Sequence, residues 1–146
     1  MSQRATTIAL TVLSCIGLGI SGYLTYTHFF GLAPVCLASG QCEIVQSSKY
    51  AVMFGIPVPL IGLVGYALML ASLQIKNELG RLLGVLLTVG GFAFSCYLTY
   101  LELFVIHAIC QWCVSSAITV TVMAVLMIRR YLAGDAHAPQ IATDSQ

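Results

Sequence analysis

Apolar residues dominate four long stretches of the chain, and polar residues concentrate between them. The stretches cover residues 5–30, 58–75, 82–104 and 112–128. Each is close to the roughly 20 residues that an α-helix needs to cross a bilayer. A lone strand would leave backbone N–H and C=O groups unpaired in lipid, so all four stretches are predicted to be helices. The pattern predicts an all-α, integral membrane four-transmembrane-helix bundle, with a transmembrane domain over residues 1–132.

The longest segment between these stretches, residues 31–57, is predicted to be an outer loop that caps the bundle. Within it, Ile44, Val45, Ser48 and Val52 recur at helical spacing. Such a pattern is typical of a short amphipathic helix at an interface. We therefore expect a short interfacial helix over the mouth of the bundle.

The composition agrees with a membrane protein. Hydrophobic residues make up 59% of the 146 residues and charged residues only 8%, whereas a soluble domain carries about 25% charged residues. The formal net charge is +1, so no acidic or basic field points to nucleic acid as a partner. The polar tail, residues 133–146, is predicted to be disordered in the cytoplasm.

The basic residues predict the orientation in the membrane, because Lys and Arg favour the cytoplasmic side. Only Lys49 lies in the outer loop. The other five of the six basic residues fall on the opposite side: Arg4, Lys76, Arg81, Arg129 and Arg130. Both termini are therefore predicted to be cytoplasmic.

The first apolar stretch has two alternative interpretations, as a secretory signal peptide or as a lipoprotein signal cleaved before Cys36. A secretory apolar region is about 7–15 residues long, and this stretch is longer. Val35 directly before the cysteine disfavours lipoprotein cleavage. A membrane helix is the preferred interpretation.

The first and third stretches resemble each other in sequence. Ser-Gly-Tyr-Leu-Thr-Tyr at residues 21–26 matches Ser-Cys-Tyr-Leu-Thr-Tyr at residues 95–100, and a cysteine follows ten residues after each, Cys36 and Cys110. Common ancestry of the two halves would explain the match, as would chance together with aromatic belts at the interface. In either case both cysteines reach the outer face at a similar depth.

Four cysteines lie on that face as two pairs, Cys36 with Cys42 and Cys110 with Cys113. The second pair is Cys-Gln-Trp-Cys at the start of a helix, where free N–H groups and the helix dipole stabilise a thiolate. One cysteine can attack a disulfide and the other can resolve the mixed disulfide. Cys110 opens the turn and is expected to be the more exposed of the two to an incoming loop, while Cys113 lies deeper and faces the apolar interior.

Inert chemistry is the alternative for these cysteines. Two structural disulfides are possible, although the small loop closed by Cys110 and Cys113 would add little entropic stability. A four-cysteine zinc site fits the spacing but does not explain the position at the lipid boundary, so no metal is predicted. Cys15 and Cys96 fall inside helices and are expected to be ordinary apolar thiols.

Three residues near the second pair are candidates for binding a cofactor. Trp112 could wall an aromatic ring or anchor the interface. His107 could favour the Cys110 thiolate if protonated or could simply be a turn residue. Glu102 is a functional candidate because ionisable groups are rare in membrane helices, although it could also reach water.

These motifs resemble the vitamin K epoxide reductase family. The resemblance rests on Cys36 and Cys42, on Ser48, on Gly-Ile-Pro at residues 55–57 and on the Cys-Gln-Trp-Cys motif. It covers about residues 22–116 and is closest to the bacterial homologues. It implies a four-helix bundle around a quinone of the ubiquinone or menaquinone class. It also implies that a DsbA-like, thioredoxin-like partner in the periplasm is reoxidised at the bacterial inner membrane, which drives disulfide-bond formation.

The resemblance assigns a role to each matching residue. Cys113 resembles the cysteine beside the quinone, and Cys110 resembles its partner. Cys42 resembles the loop cysteine that bonds transiently with Cys110, and Cys36 resembles the cysteine that first meets the outside partner. Ser48 matches a loop serine placed near the quinone ring.

Two departures from the family pattern qualify this implication. Many bacterial members carry a fused thioredoxin-like domain after a fifth helix, whereas this chain ends soon after the fourth stretch, so a separate partner is expected. Vertebrate enzymes have a tyrosine four residues after the last active-site cysteine, where this chain has Ala117.

The alternatives are a quinone or vitamin K epoxide reductase of the same fold, and a non-enzymatic four-helix membrane scaffold or transport subunit with structural disulfides. A transporter would place polar groups near the midplane, and these stretches show almost none.

Overall fold

The computed structural model describes residues 2–37 and 41–135, and these residues are mostly helical. Four long helices make up most of the chain. The connection between the first two of them is long and contains short elements of its own, whereas the other two connections are short. In chain order the elements are α1 (Gln3–Phe29), α2 (Gln41–Ser47), a 3-10 turn (Lys49–Ala51), β1 (Val52–Met53), β2 (Ile56–Pro57), α3 (Val58–Gln74), α4 (Glu78–Leu101), a π-helical turn (Glu102–Ile106) and α5 (Gln111–Asp135).

The long helices form a ring in the order α1, α3, α4, α5. Helices α1 and α4 each pack against both α3 and α5. One end of the ring is closed by a cluster of buried apolar side chains, among them Leu10, Met69, Met123 and Met127. The chain directions place this cluster at the end opposite the cysteine pairs, so the cysteine end is where an interior space can remain.

Three helical segments are long and apolar enough to cross a membrane: Gln3–Phe29, Glu78–Ile106 and Gln111–Gly134. They also expose large apolar side chains outward, such as Ile8, Leu86 and Ile118, each about 60% exposed or more. A water-soluble protein buries such surface, so this outward face fits lipid. The predicted membrane character and helical class are confirmed at this level.

Helix α3 is shorter, with 17 residues, which gives a length of about 25 Å at 1.5 Å per residue. Its start is fixed by Pro57 and Pro59, because proline suits the first turn of a helix, where no N–H partner is lost. Near its middle, the Tyr66 hydroxyl lies 2.9 Å from Ser116 Oγ and donates to the Ser116 carbonyl oxygen at 3.1 Å. These contacts tie α3 to α5.

Two helices exceed their predicted bounds. Helix α4 begins at Glu78 and not at 82, because the Asn77 side chain caps it by accepting the Gly80 N–H at 3.2 Å. Helix α5 continues beyond residue 128 to Asp135. In this extension the Tyr131 ring packs under the Arg81 guanidinium, whose Cζ lies 6.0 Å from the ring centroid. The prediction of disorder from 133 is therefore wrong for residues 133–135, and residues 136–146 lie outside the described residues.

The segment predicted as the outer loop contains more regular structure than the sequence indicated. Helix α2 ends at Ser47, and of the expected apolar face only Val45 is buried, while Ile44 and Val52 are exposed. Strands β1 and β2 then pair antiparallel around a two-residue turn at Phe54 and Gly55, which have φ angles of 52° and 80°. Positive φ at both positions is what a tight hairpin turn requires.

Candidate active site

The site is built around the reversal of the chain between α4 and α5. After Leu101 the helix widens into one π-helical turn, which ends at His107 in the left-handed conformation with φ 54°. The Glu102 carbonyl oxygen accepts the Ala108 N–H at 3.1 Å, which closes the turn. A π turn adds a residue to the helix and rotates the side chains that follow. Glu102 at its start is 5% exposed.

Glu102 joins this turn to the start of α5. Its Oε2 accepts the backbone N–H of Cys110 at 3.2 Å. The first N–H groups of a helix have no partner within the helix, and a carboxylate is a favourable acceptor close to a helix N-terminus. A buried acidic group therefore lies directly beside the first cysteine of the Cys-Gln-Trp-Cys motif.

Cys110 directly precedes α5, Cys113 lies on its first turn, and both are free thiols. The Cys110 carbonyl oxygen accepts the Val114 N–H at 3.0 Å, so helical bonding begins at Cys110. A hydrogen bond from the Cys113 side chain lowers the pKa of Cys110 to about 7, assisted by the backbone N–H groups of Cys113 and Trp112 and opposed by burial and by the negative charge of Glu102. Cys110 is thus the cysteine of this pair that more readily forms a thiolate near neutral pH, in the direction that a position at a helix start predicts.

Cys110, the cysteine expected to face the loop, is packed against the loop segment. Cys110 is 0% exposed, whereas Cys113 is half-buried. The reason is that Cys42 and Val45 of α2 pack over Cys110, together with Ala108. Cys110 meets the loop segment through direct burial and not through exposure to water.

The loop pair is joined. A disulfide links Cys36 and Cys42, whose Cα atoms are 6.0 Å apart. Cys42 is 0% exposed and belongs to the same buried cluster as Cys110, whereas Cys36 lies at the edge of that cluster. The Cys42 end of the disulfide therefore faces Cys110, and the Cys36 end lies closer to the surface.

Trp112 and Tyr23 hold the segment before Cys36 in place. The Tyr23 hydroxyl accepts the Val35 N–H at 2.9 Å, and Trp112 Nε1 donates to the Val35 carbonyl oxygen at 2.8 Å. The two rings also contact each other, with centroids 5.2 Å apart. Both backbone groups of Val35 are satisfied by side chains of the bundle, which fixes the position of Cys36.

Two glutamines form a second, reciprocal attachment. The Gln111 Oε1 accepts the Leu37 N–H, and the Gln41 Oε1 accepts the Ile109 N–H, both at 3.1 Å. One glutamine belongs to α5 and reaches the loop, and the other belongs to α2 and reaches the turn before α5. Sequence reasoning missed both, because the bonded residues are 74 and 68 positions apart.

A cavity of about 370 Å³ lies inside the ring beneath this site. Side chains of all four long helices line it, and most are apolar, among them Leu24, Tyr66, Met69, Leu98 and Val120. Cys113, Glu102 and Gln46 are polar groups at its wall. Small-molecule sites are typically apolar spaces of about 300–1,000 Å³ with a few polar groups, so the cavity suits an apolar ring compound.

The four predicted cofactor-binding residues take different positions. Glu102 lines this cavity, and together with Ser48 and Cys113 it also lines a smaller adjoining space of about 30 Å³. Ser48 donates its hydroxyl to the Val45 carbonyl oxygen at 2.7 Å. His107 and Trp112 line neither space, because His107 sits exposed in the turn and Trp112 is directed toward Val35.

A metal does not fit the described part of the chain. Within residues 2–37 and 41–135, no three His, Cys, Asp or Glu side chains come together in a way that could hold an ion. The cysteines meet as disulfide partners and packed thiols, so the available chemistry is thiol–disulfide exchange.

Comparison with known proteins agrees with this chemistry. The model of the vitamin K epoxide reductase family matches residues 8–128. The chain belongs to the vitamin K epoxide reductase family. The chain is also 40% identical over 62 residues to the thiol-disulfide oxidoreductase LTO1 of Arabidopsis thaliana, a match that covers 42% of this chain and 16% of that protein. The match thus spans less than half of this chain and a small part of LTO1.

Proposed function

We propose that this member of the vitamin K epoxide reductase family is a quinone-dependent thiol oxidoreductase that reoxidises a separate, thioredoxin-like protein of the DsbA type. One observation carries the proposal. Cys42 and Cys110 share a buried cluster, and Cys113, one helical turn further, lines an apolar cavity. This arrangement links a surface disulfide to a space suited to a lipid-soluble ring.

The first step exchanges electrons with the partner. A partner thiolate attacks Cys36, and Cys42 leaves as a thiolate. The second partner thiol then attacks the mixed disulfide, which oxidises the partner and reduces Cys36 and Cys42. Cys36 suits this step because it lies at the edge of the cluster, where a protein thiol can approach.

The second step passes the electrons inward. The Cys42 thiolate attacks Cys110 of a Cys110–Cys113 disulfide, and Cys113 leaves. Cys36 then attacks Cys42 and restores the loop disulfide, with Cys110 leaving as a thiolate. Because the pKa of Cys110 is lowered to about 7, Cys110 is a good leaving group in this exchange.

The third step reduces the acceptor. The Cys110 and Cys113 thiols form a disulfide and release two electrons and two protons, which convert a quinone into its hydroquinone. Overall, one partner dithiol and one quinone give one partner disulfide and one hydroquinone. Burial of Cys113 beside an apolar cavity favours a lipid-soluble acceptor over a water-soluble one.

We also propose a membrane arrangement that completes the mechanism. Helix α3 acts as the fourth span, because a stretch of 17 apolar residues is within the range that crosses a bilayer with local thinning. The loop caps the outer mouth in a bacterial inner membrane, and both termini are cytoplasmic, on the side of five of the six basic residues. In intact cells, an impermeant maleimide should label a single-cysteine variant at Cys36; labelling only after lysis would contradict this topology.

The deciding experiment measures both products. The purified protein is mixed with a reduced thioredoxin-like dithiol protein and a short-chain ubiquinone, and lost thiols and formed hydroquinone are counted. We expect one hydroquinone per dithiol, with none formed by Cys113→Ser. Equal thiol oxidation with and without quinone would refute quinone dependence, and a scaffold with structural disulfides would give neither product. Vitamin K epoxide in place of quinone should not react. At the position where the vertebrate enzymes have a tyrosine, this chain has Ala117, which lines the cavity with only a methyl group.

A further inference from the structure

Gln46 is a polar residue of the loop segment that reaches the inner cavity. It lies four residues after Cys42 on α2, and residues at this spacing share one face of a helix. Cys42 packs on Cys110, and Gln46 reaches the second cysteine of the same pair. One face of α2 thus addresses both cysteines of the Cys-Gln-Trp-Cys motif.

The two ends of the Gln46 amide have different surroundings. Its Nε2 lies 3.9 Å from Cys113 Sγ and donates to it. Its Oε1 is buried, and no residue among 2–37 and 41–135 donates a hydrogen bond to it. A buried polar atom without a partner is costly, so this oxygen marks a place where a bound molecule can contribute a donor.

Two of the hydroxyl groups that line these spaces are engaged elsewhere. Ser48 donates to the Val45 carbonyl oxygen, and the Tyr66 hydroxyl bonds to Ser116. Gln46 lines both the large cavity and the small adjoining space. Because Gln46 lines these spaces, a molecule bound in the cavity can supply the donor for Oε1.

The chemistry of the missing donor identifies the ligand form. A quinone carries carbonyl oxygens, which only accept hydrogen bonds, whereas its hydroquinone carries O–H groups, which donate. We propose that Gln46 is a positioning residue whose Oε1, buried and unpaired beside Cys113, accepts an O–H group of the hydroquinone. This inference rests on the proposed function. Gln46 transfers no proton; it holds the reduced acceptor while its N–H group supports the Cys113 sulfur.

The test compares binding of the two redox forms and does not need turnover. The protein has a single tryptophan, Trp112, adjacent to Cys113, so quenching of its fluorescence reports ligands in the cavity. Short-chain ubiquinone is titrated against the full chain with Cys110 and Cys113 joined as a disulfide, and its hydroquinone against the full chain with both as thiols, so that neither ligand reacts. In Gln46→Leu, hydroquinone affinity should fall about tenfold, as expected when one partner of a buried hydrogen bond is removed, while quinone affinity changes little.

Two further variants make the test specific. Gln46→Glu retains an acceptor oxygen and should retain hydroquinone binding. Glu43→Leu introduces the same side chain on the exposed side of α2 and should leave both affinities unchanged. If Gln46→Leu fails to fold, Gln46→Met, which keeps the length of the side chain, is measured in its place with the same expectation.

The outcomes separate the inference from the function on which it rests. If the unaltered protein binds neither redox form, the proposed function fails. If it binds both and Gln46→Leu weakens them equally or not at all, only the role of Gln46 is refuted. An equal loss of hydroquinone affinity in Glu43→Leu would also refute it, because the effect would then come from α2 as a whole.

Discussion

The two cysteine pairs are held in different ways. Cys110 and Cys113 sit at the start of α5, where helical hydrogen bonds, beginning with that of the Cys110 carbonyl oxygen, fix the backbone. Cys36 and Cys42 lie in a segment that is attached to the bundle by side chains, through the Val35, Leu37 and Ile109 backbone groups. The cysteine pair at the helix start, Cys110 and Cys113 (the helix pair), is part of the scaffold. The cysteine pair of the loop, Cys36 and Cys42 (the loop pair), is docked onto that scaffold.

This difference fits what each pair must do in the proposed relay. A hydrogen bond contributes about 0.5–1.5 kcal/mol net, so a few side-chain bonds can be broken and re-formed without unfolding the bundle. A loop that releases Cys36 to a partner and then returns Cys42 to Cys110 needs such attachment. The helix pair needs the opposite, because Cys113 must stay beside the cavity.

Replacing the cysteines of either pair should have the largest effect, a complete loss of partner oxidation. Serine at Cys36, Cys42, Cys110 or Cys113 should reduce activity to the uncatalysed level, because each exchange needs every sulfur. Cys110→Ser should also give a visible absorption band when quinone is added, because Cys113 then cannot close its disulfide. Cys113→Ser should instead accumulate a Cys42–Cys110 disulfide, detected by mass spectrometry of non-reduced peptides.

Cys15 and Cys96 provide the matched control for these variants. Both are free and exposed on the outside of the bundle, so serine at either position should leave most activity. The roles of Cys110 and Cys113 would be reversed if the absorption band appeared with Cys113→Ser and not with Cys110→Ser.

Replacing Glu102 should have the second largest effect, on the stability of the helix pair and on the pKa of Cys110. Glu102→Ala leaves the buried Cys110 N–H without its acceptor, a loss of about 1–3 kcal/mol in the free energy of unfolding. Glu102→Gln keeps an acceptor but removes the charge that raises the pKa of Cys110, so that pKa should fall further. Thermal unfolding in detergent measures the first effect, and a Gln variant as unstable as the Ala variant would contradict the hydrogen-bond argument.

The pH dependence of the helix pair should follow the pKa of Cys110. Because this pKa is about 7, the thiolate is present above pH 7 and is lost below it, about tenfold per pH unit well below the pKa. Ultraviolet thiolate absorbance, in a Cys15→Ser/Cys96→Ser protein with the loop disulfide intact, should rise with a midpoint near 7. Cys113→Ala removes the largest cause of the lowered pKa and should move the midpoint upward; an unchanged midpoint would refute that cause.

Loosening the loop pair should give the smallest effect. Trp112→Phe removes the hydrogen bond to the Val35 carbonyl oxygen but retains an aromatic ring against Tyr23, so docking should weaken by about 0.5–1.5 kcal/mol. Hydrogen exchange at Leu37, or its protection from proteolysis, should report more frequent opening, by several-fold. Tyr23→Phe offers a comparison, since it removes the acceptor of the Val35 N–H; unchanged exchange in both variants would show that these bonds do not hold the loop.

Hydropathy was sufficient to predict the helices, and cysteine spacing singled out the four cysteines that the structure brings together. Long apolar stretches have one stable arrangement in lipid, so their positions follow from hydropathy, and the observed helices differ from the predicted ones mainly at polar ends such as Asn77 and Asp135. Pairs of cysteines separated by short, fixed spacings likewise indicate dithiol chemistry from the order of residues alone.

The side chains that surround this chemistry are set by tertiary packing. The π-helical turn after Leu101 changes the helical register, so spacing along α4 does not reveal that Glu102 is buried against Cys110. Gln46 carried no signal beyond a polar residue in a short loop helix, and its contact with Cys113 spans 67 positions. For Trp112 the sequence left a place beside a ring or an interfacial anchor open, and its hydrogen bond to Val35 spans 77 positions. Hydropathy depends on each residue and its near neighbours, whereas these contacts depend on how distant segments pack, which the folded chain alone determines.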